Sequence, residues 1–77
     1  VTLVELKPEA PARVTAVEGH DPLMLRLMEM GLVPGAPVRV KKAAPFGGPI
    51  QIQVGGYLLS IRRNEAKRLR VAPIDAP

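Results

Sequence analysis

The chain has no cysteine and no tryptophan, and Phe46 and Tyr57 are its only phenylalanine and tyrosine. Without cysteine there is no disulfide framework and no thiolate metal site, which fits a reducing, cytoplasmic compartment. With so few aromatic rings, the core must be built from Val, Leu, Ile, Met and Ala. Hydroxyl side chains are as scarce: Thr2, Thr15 and Ser60, with His20 the one imidazole. Catalysis needs a positioned nucleophile or acid–base pair, and nothing in the spacing brings His20 to Ser60. Gly47-Gly48 and Gly55-Gly56 lack the Gly-Lys-Ser/Thr ending of a phosphate-binding P-loop. These absences predict a protein that is not an enzyme and carries no cofactor. No apolar run approaches the roughly 20 residues a membrane-spanning helix needs, so direct membrane insertion is not expected.

What remains is 77 residues, 47% of them hydrophobic, with eleven Lys and Arg against seven Asp and Glu for a net charge of +4. That length suits one small domain, expected over residues 1–77 with 73–77 as a frayed tail. Valine at position 1 is compatible with removal of an initiator methionine or with excision from a longer protein. A modest positive charge fits nucleic acid or anionic lipid, and equally fits proteins that bind neither.

The elements follow from punctuation and periodicity. Residues 1–11 hold an apolar start and two close prolines, an arm leading inward. Residues 12–18 read as a first strand. Residues 21–30 read as the one good helix, with Asp21 as cap, Pro22 at the first helical position and Gly31 as terminator, folding Leu32 back toward Leu27. On that helix Leu23, Met24, Leu27, Met28 and Met30 share an apolar face, with Leu25 beside Arg26 and Glu29 on the polar arc. Val33-Pro34-Gly35-Ala36 matches a type II turn. Strands are expected at 37–44, 50–54 and 57–62, separated by the 45–49 loop and a Gly55-Gly56 hairpin turn. A helical turn at 64–67 and a last strand at 68–72 complete a mainly β chain. About five short strands with one inserted helix suggest a small, highly bent barrel.

At this level the residues resemble a known family. "MGLVPGAPVRV" (30–40) is similar to the signature of FeoA domains, and "APFGGPIQIQVGGYLLSIRRNEAKRLRV" (44–71) to its continuation. With "LVELKPEAPARVTAVEG" at the start, the resemblance covers nearly the whole chain. It implies an SH3-like β-barrel and a cytosolic accessory role in bacterial ferrous iron uptake, with the cytosolic part of the FeoB transporter as protein partner. The same domain type closes DtxR-type metal-dependent repressors, which leaves a regulatory domain as an alternative. Within the motifs, Gly31, Pro34, Gly35, Pro45, Gly47, Pro49 and Gly56 read as structural. Gly48 stands where the family commonly has Asp, and Met24, Leu25 and Leu58 are more apolar than its usual residues.

Three surfaces are candidates for function. Met24, Leu25, Arg26, Glu29, Leu58, Arg62 and Arg63 are expected to form a partner-binding face, for FeoB or for self-association. Glu18, His20 and Asp21 have weak metal-ligand chemistry; a simpler reading makes Asp21 a helix cap, Glu18 a strand end and His20 a loop residue. Arg39, Lys41, Lys42, Arg62, Arg63, Arg68 and Arg70 fall at outward positions that alignment would turn into a positive stripe. Solvation, an acidic protein and nucleic acid are the readings of that stripe, in that order.

Overall fold

A computed structural model describes residues 1–74. Its strands are β1 (Pro11–Val17), β2 (Pro37–Ala43), β3 (Ile50–Val54), β4 (Tyr57–Ile61) and β5 (Leu69–Pro73), with helices α1 (Pro22–Glu29) and α2 (Arg63–Ala66) and a 3-10 turn at Leu3–Glu5. All pairings are antiparallel, in the order β4-β3-β2-β1-β5. This is the expected mainly β architecture, with one helix inserted between β1 and β2 and a short helical turn before the last strand.

Two bulges bend the sheet around its core. Val14 and Ala16 of β1 face Val71 and Arg70 of β5, leaving Thr15 as the extra residue. Val40 and Lys42 of β2 face Ile52 and Gln51 of β3, leaving Lys41 as the extra residue. An inserted residue raises local twist and curvature, and here it also keeps Lys42 on the outward face. Strict alternation from Val38 and Val40 would have turned that lysine into the core. The core is aliphatic throughout, from Leu3, Ala12 and Val14 to Leu69 and Val71, with no buried polar residue among the described ones.

The N-terminal arm is part of that core. Leu3 is 1% exposed, Thr2 bridges Arg70, and the Val71 N–H donates to Val1 O at 2.9 Å. The expected frayed tail is likewise corrected where it can be followed. Pro73 belongs to β5 and the Ile74 N–H donates to Pro11 O at 3.0 Å, because β1 offers that carbonyl at its own start. The rest of that tail, 75–77, lies outside the described residues.

The motif glycines and prolines divide by geometry. Gly31, at φ +95°, lets the chain end α1 with two reversed bonds, Gly31 N–H to Met28 O at 3.0 Å and Leu32 N–H to Leu27 O at 3.1 Å. That pair is the glycine-terminated helix end. Pro34 and Gly35 form the expected turn, closed by Ala36 N–H to Val33 O at 2.9 Å. Pro45, Gly47 and Pro49 shape the loop before β3, where Ala44 N–H donates to Pro49 O at 3.0 Å. In the β3–β4 hairpin the positive φ falls at Gly55 (+57°). Gly56, its partner in the expected two-residue turn, neither has a positive φ nor meets a crowding neighbour.

Candidate protein-binding surface

Helix α1 is pinned at both ends and shows one face to water between them. At its N-terminus the Asp21 carboxylate accepts the Met24 N–H at 3.3 Å and receives both arms of the Arg68 guanidinium, at 2.6 and 3.2 Å. Arg68 Nε also donates to Glu18 O at 3.1 Å, so one side chain ties the end of β1 and the start of α1 to the segment entering β5. At the C-terminus the Tyr57 hydroxyl donates to Met30 O. Between these anchors Leu27 is buried, and Leu23 and Met30 pack on the core. Met24 and Met28 are half-buried flanks, while Leu25, Arg26 and Glu29 face water. Leu25 is 57% exposed.

The residues expected on one face occupy three places. Met24, Leu25, Arg26 and Glu29 are on α1. Leu58 lies on the outward face of β4, opposite Gln53, which is opposite Arg39 of β2. The alternation that sends Leu58 outward sends Tyr57 toward the helix, where its hydroxyl reaches Met30 O. Its position directly after the hairpin glycines, in phase with Leu59 and Ile61, was the available signal. Arg62 and Arg63 stand at the β4–α2 junction, beside the 45–49 loop.

Four of the seven stripe cations pair with three carboxylates. Lys41 and Arg39 share Glu9, at 2.9 and 3.8 Å, Arg68 pairs with Asp21 and Arg70 with Glu18 at 2.8 Å. Arg68 is also not a strand residue, since β5 starts at Leu69. The same pairs occupy the candidate metal ligands: the Glu18 and Asp21 carboxylates each face a guanidinium, and His20 is an exposed loop residue. No group of three or more His, Cys, Asp or Glu suited to a metal ion occurs among the described residues. Ser60 sits on β4 opposite Gln51.

The hydrogen bond from Arg68, helped by the Met24 N–H and the guanidinium charge and opposed by desolvation, holds the Asp21 carboxyl below its ordinary value. Asp21 in turn holds the Arg68 guanidinium above its own. A depressed carboxyl stabilises the fold above its unfolded pKa of about 3.9 and loses that contribution as pH falls through the lower folded value. In urea melts between about pH 5 and pH 2, Asp21→Asn is therefore expected to flatten the acid decline of the midpoint. An unchanged decline would mean the pair does not carry it.

Comparison with known proteins places the chain. The family model described as "FeoA domain" matches residues 1–73. A Porphyromonas gingivalis protein named as a fusion of Fe(2+) transport protein A with the Fe(2+) transporter FeoB is 32% identical over 74 residues, covering 96% of this chain. This chain spans only 9% of that protein. The FeoA protein of Chlorobium tepidum is 41% identical, with a TM-score of 0.89 over 97% of this chain and 71% of its own. Stenotrophomonas maltophilia FeoA, solved with zinc and described as a prokaryotic SH3-domain protein, is 37% identical with a TM-score of 0.82, over 94% and 89%. A manganese-dependent transcriptional repressor reaches a TM-score of 0.86 at 21% identity, over 96% of this chain and 36% of its own; at that identity the two share architecture alone. No described helix is long and apolar enough to cross a membrane. By its residues, its SH3-like fold and these relatives, the chain belongs to the FeoA family, which is associated with ferrous iron transport.

Proposed function

We propose that this chain is a non-catalytic, cytoplasmic accessory of bacterial ferrous iron uptake that binds the cytosolic part of FeoB through the solvent face of α1. The observation that carries this reading is the fusion protein, in which a relative of this chain shares a polypeptide with FeoB. A covalent link replaces affinity with effective concentration; two separate chains need a surface to do the same work. Leu25, flanked by Arg26 and Glu29 on a helix fixed at both ends, is an apolar anchor with a polar rim. Its rigidity limits the ordering cost of docking.

The test is a pulldown with the cytosolic domain of FeoB, followed by a GTPase assay with and without this chain. Leu25→Asp is expected to weaken capture about tenfold or more while leaving the fold intact, since the side chain is exposed. Capture unaffected by that change would refute the proposed face. Self-association through the same helix is the competing use, and sedimentation of the chain alone distinguishes it. Nucleic acid is the weaker reading, because four of the seven stripe cations are paired with acids and only two aromatic rings are present; a salt-sensitive gel shift would reverse that judgement.

A further inference from the structure

The basic side chains that no carboxylate claims include three that meet in one place. Arg62, Arg63 and Lys67 form no ion pair among the described residues. Together with Gly47, Gly48, Pro49 and Asn64 they line an open recess of about 550 Å³. No carboxylate lines it among the described residues. Glu65, the acid on the same short helix, is engaged elsewhere, accepting the Arg62 N–H at 2.8 Å.

Arg63 is the least exposed of the three. Its Nε is fully buried and has no hydrogen-bond partner among the described residues. Its guanidinium is therefore partly desolvated, which strengthens any charge-assisted hydrogen bond that its remaining N–H groups make. The glycine loop opposite adds donors without bulk. No acceptor among the described residues meets the Gly47 N–H, whereas the Gly48 N–H donates to Pro45 O at 3.3 Å. A side chain at Gly48 would stand 2.8 Å from Ala44 Cβ.

Two guanidinium forks, an ammonium, a carboxamide and a free backbone N–H make a donor-rich concavity with up to three positive charges. A planar carboxylate offers two acceptors in one plane. A tetrahedral oxyanion offers several acceptors in different directions and up to two charges, and so matches this set better. We propose that the recess binds a phosphate group, supplied either by free inorganic phosphate or by an anionic lipid headgroup. Phe46, on the same loop and fully exposed at φ +60°, separates the two sources. Its ring can enter a bilayer surface beside a bound headgroup, but has no role in holding a free ion.

The intact chain is titrated with inorganic phosphate, and with chloride at matched ionic strength, while backbone and arginine Nε–H resonances are followed by NMR. Saturable shifts at Gly47, Gly48 and the Arg63 Nε–H with phosphate alone are expected. Arg63→Gln and the exposed Lys67→Gln should each weaken binding about tenfold, the loss of one charge-assisted hydrogen bond. Arg26→Gln, an unpaired cation on α1, should leave it unchanged. In parallel, the chain is sedimented with phosphatidylcholine vesicles with and without phosphatidylglycerol. Vesicle binding that needs phosphatidylglycerol and falls in both Lys67→Gln and Phe46→Ser assigns the phosphate to a lipid. Phosphate shifts without vesicle binding assign it to the free ion. Equal shifts in chloride, or binding that survives in both Arg63→Gln and Lys67→Gln, would overturn the proposal.

Discussion

Leu27→Ala is expected to destabilise the fold by about 3 kcal/mol, the middle of the range for truncating a buried leucine. Leu27 is the fully buried side chain of α1, and its backbone carbonyl accepts the Leu32 N–H that closes the helix. Truncation leaves a cavity between helix and barrel, and β1 is the strand that α1 chiefly contacts. A 77-residue domain has a total stability of roughly 4–12 kcal/mol, so this single change removes a large share of it. The thermal midpoint should fall by at least about 12 °C. Leu25→Ala, two residues away on the same helix, should change stability by less than about 0.5 kcal/mol. If the two substitutions cost the same, α1 is not seated on the core as described.

Gly19→Ala is the second large effect, expected at about 2 kcal/mol or more. A Cβ at that position would stand 1.8 Å from Arg68 Nη2 and 2.9 Å from its Cζ, at a backbone φ of +105°. The left-handed backbone costs an L side chain roughly 1–2 kcal/mol. The remainder comes from displacing the guanidinium that joins Asp21 and Glu18 to β5. The guanidinium sits at the end of a flexible side chain, so its displacement is the part that can be tested by a double-mutant cycle. In an Arg68→Ala background the cost of Gly19→Ala should fall to the backbone strain alone, roughly 1–2 kcal/mol. Additive costs would mean that Arg68 swings aside freely and ties nothing together.

Local features were readable from the residues because their causes are local. Asp21 and Pro22 open α1 and Gly31 closes it through bonds spanning a few residues. Ile50, Ile52 and Val54 alternate with Gln51 and Gln53 because one face of β3 is buried. The resemblance to FeoA domains supplied the SH3-like barrel. What local pattern could not supply was the pairing of charges. Arg68 and Asp21 are 47 residues apart and Lys41 and Glu9 are 32 apart, and only the closed fold brings them together. Read as strand periodicity, those cations made a stripe; in the folded chain most of them are answered by acids. The bulge at Lys41 left one trace in the sequence: a lysine at 42, where simple alternation demanded an apolar residue.

The same distinction governs the candidate site. That Leu25 is exposed followed from its helical phase. That Leu58 lies on the outer face of the sheet, and that Arg62 and Arg63 meet Lys67 beside the glycine loop, depended on strand register and on where β4 ends. Charges in this barrel divide into pairs that fasten elements and a remainder free to meet a ligand, and the sequence carries no mark of which is which.

The most direct test of the account is to add the cytosolic domain of FeoB to the isotopically labelled chain and map which amide resonances respond. Perturbation centred on Leu25, Arg26 and Glu29, with the barrel interior unchanged, is the predicted result. Saturating FeoB domain that leaves those three residues unmoved would contradict it.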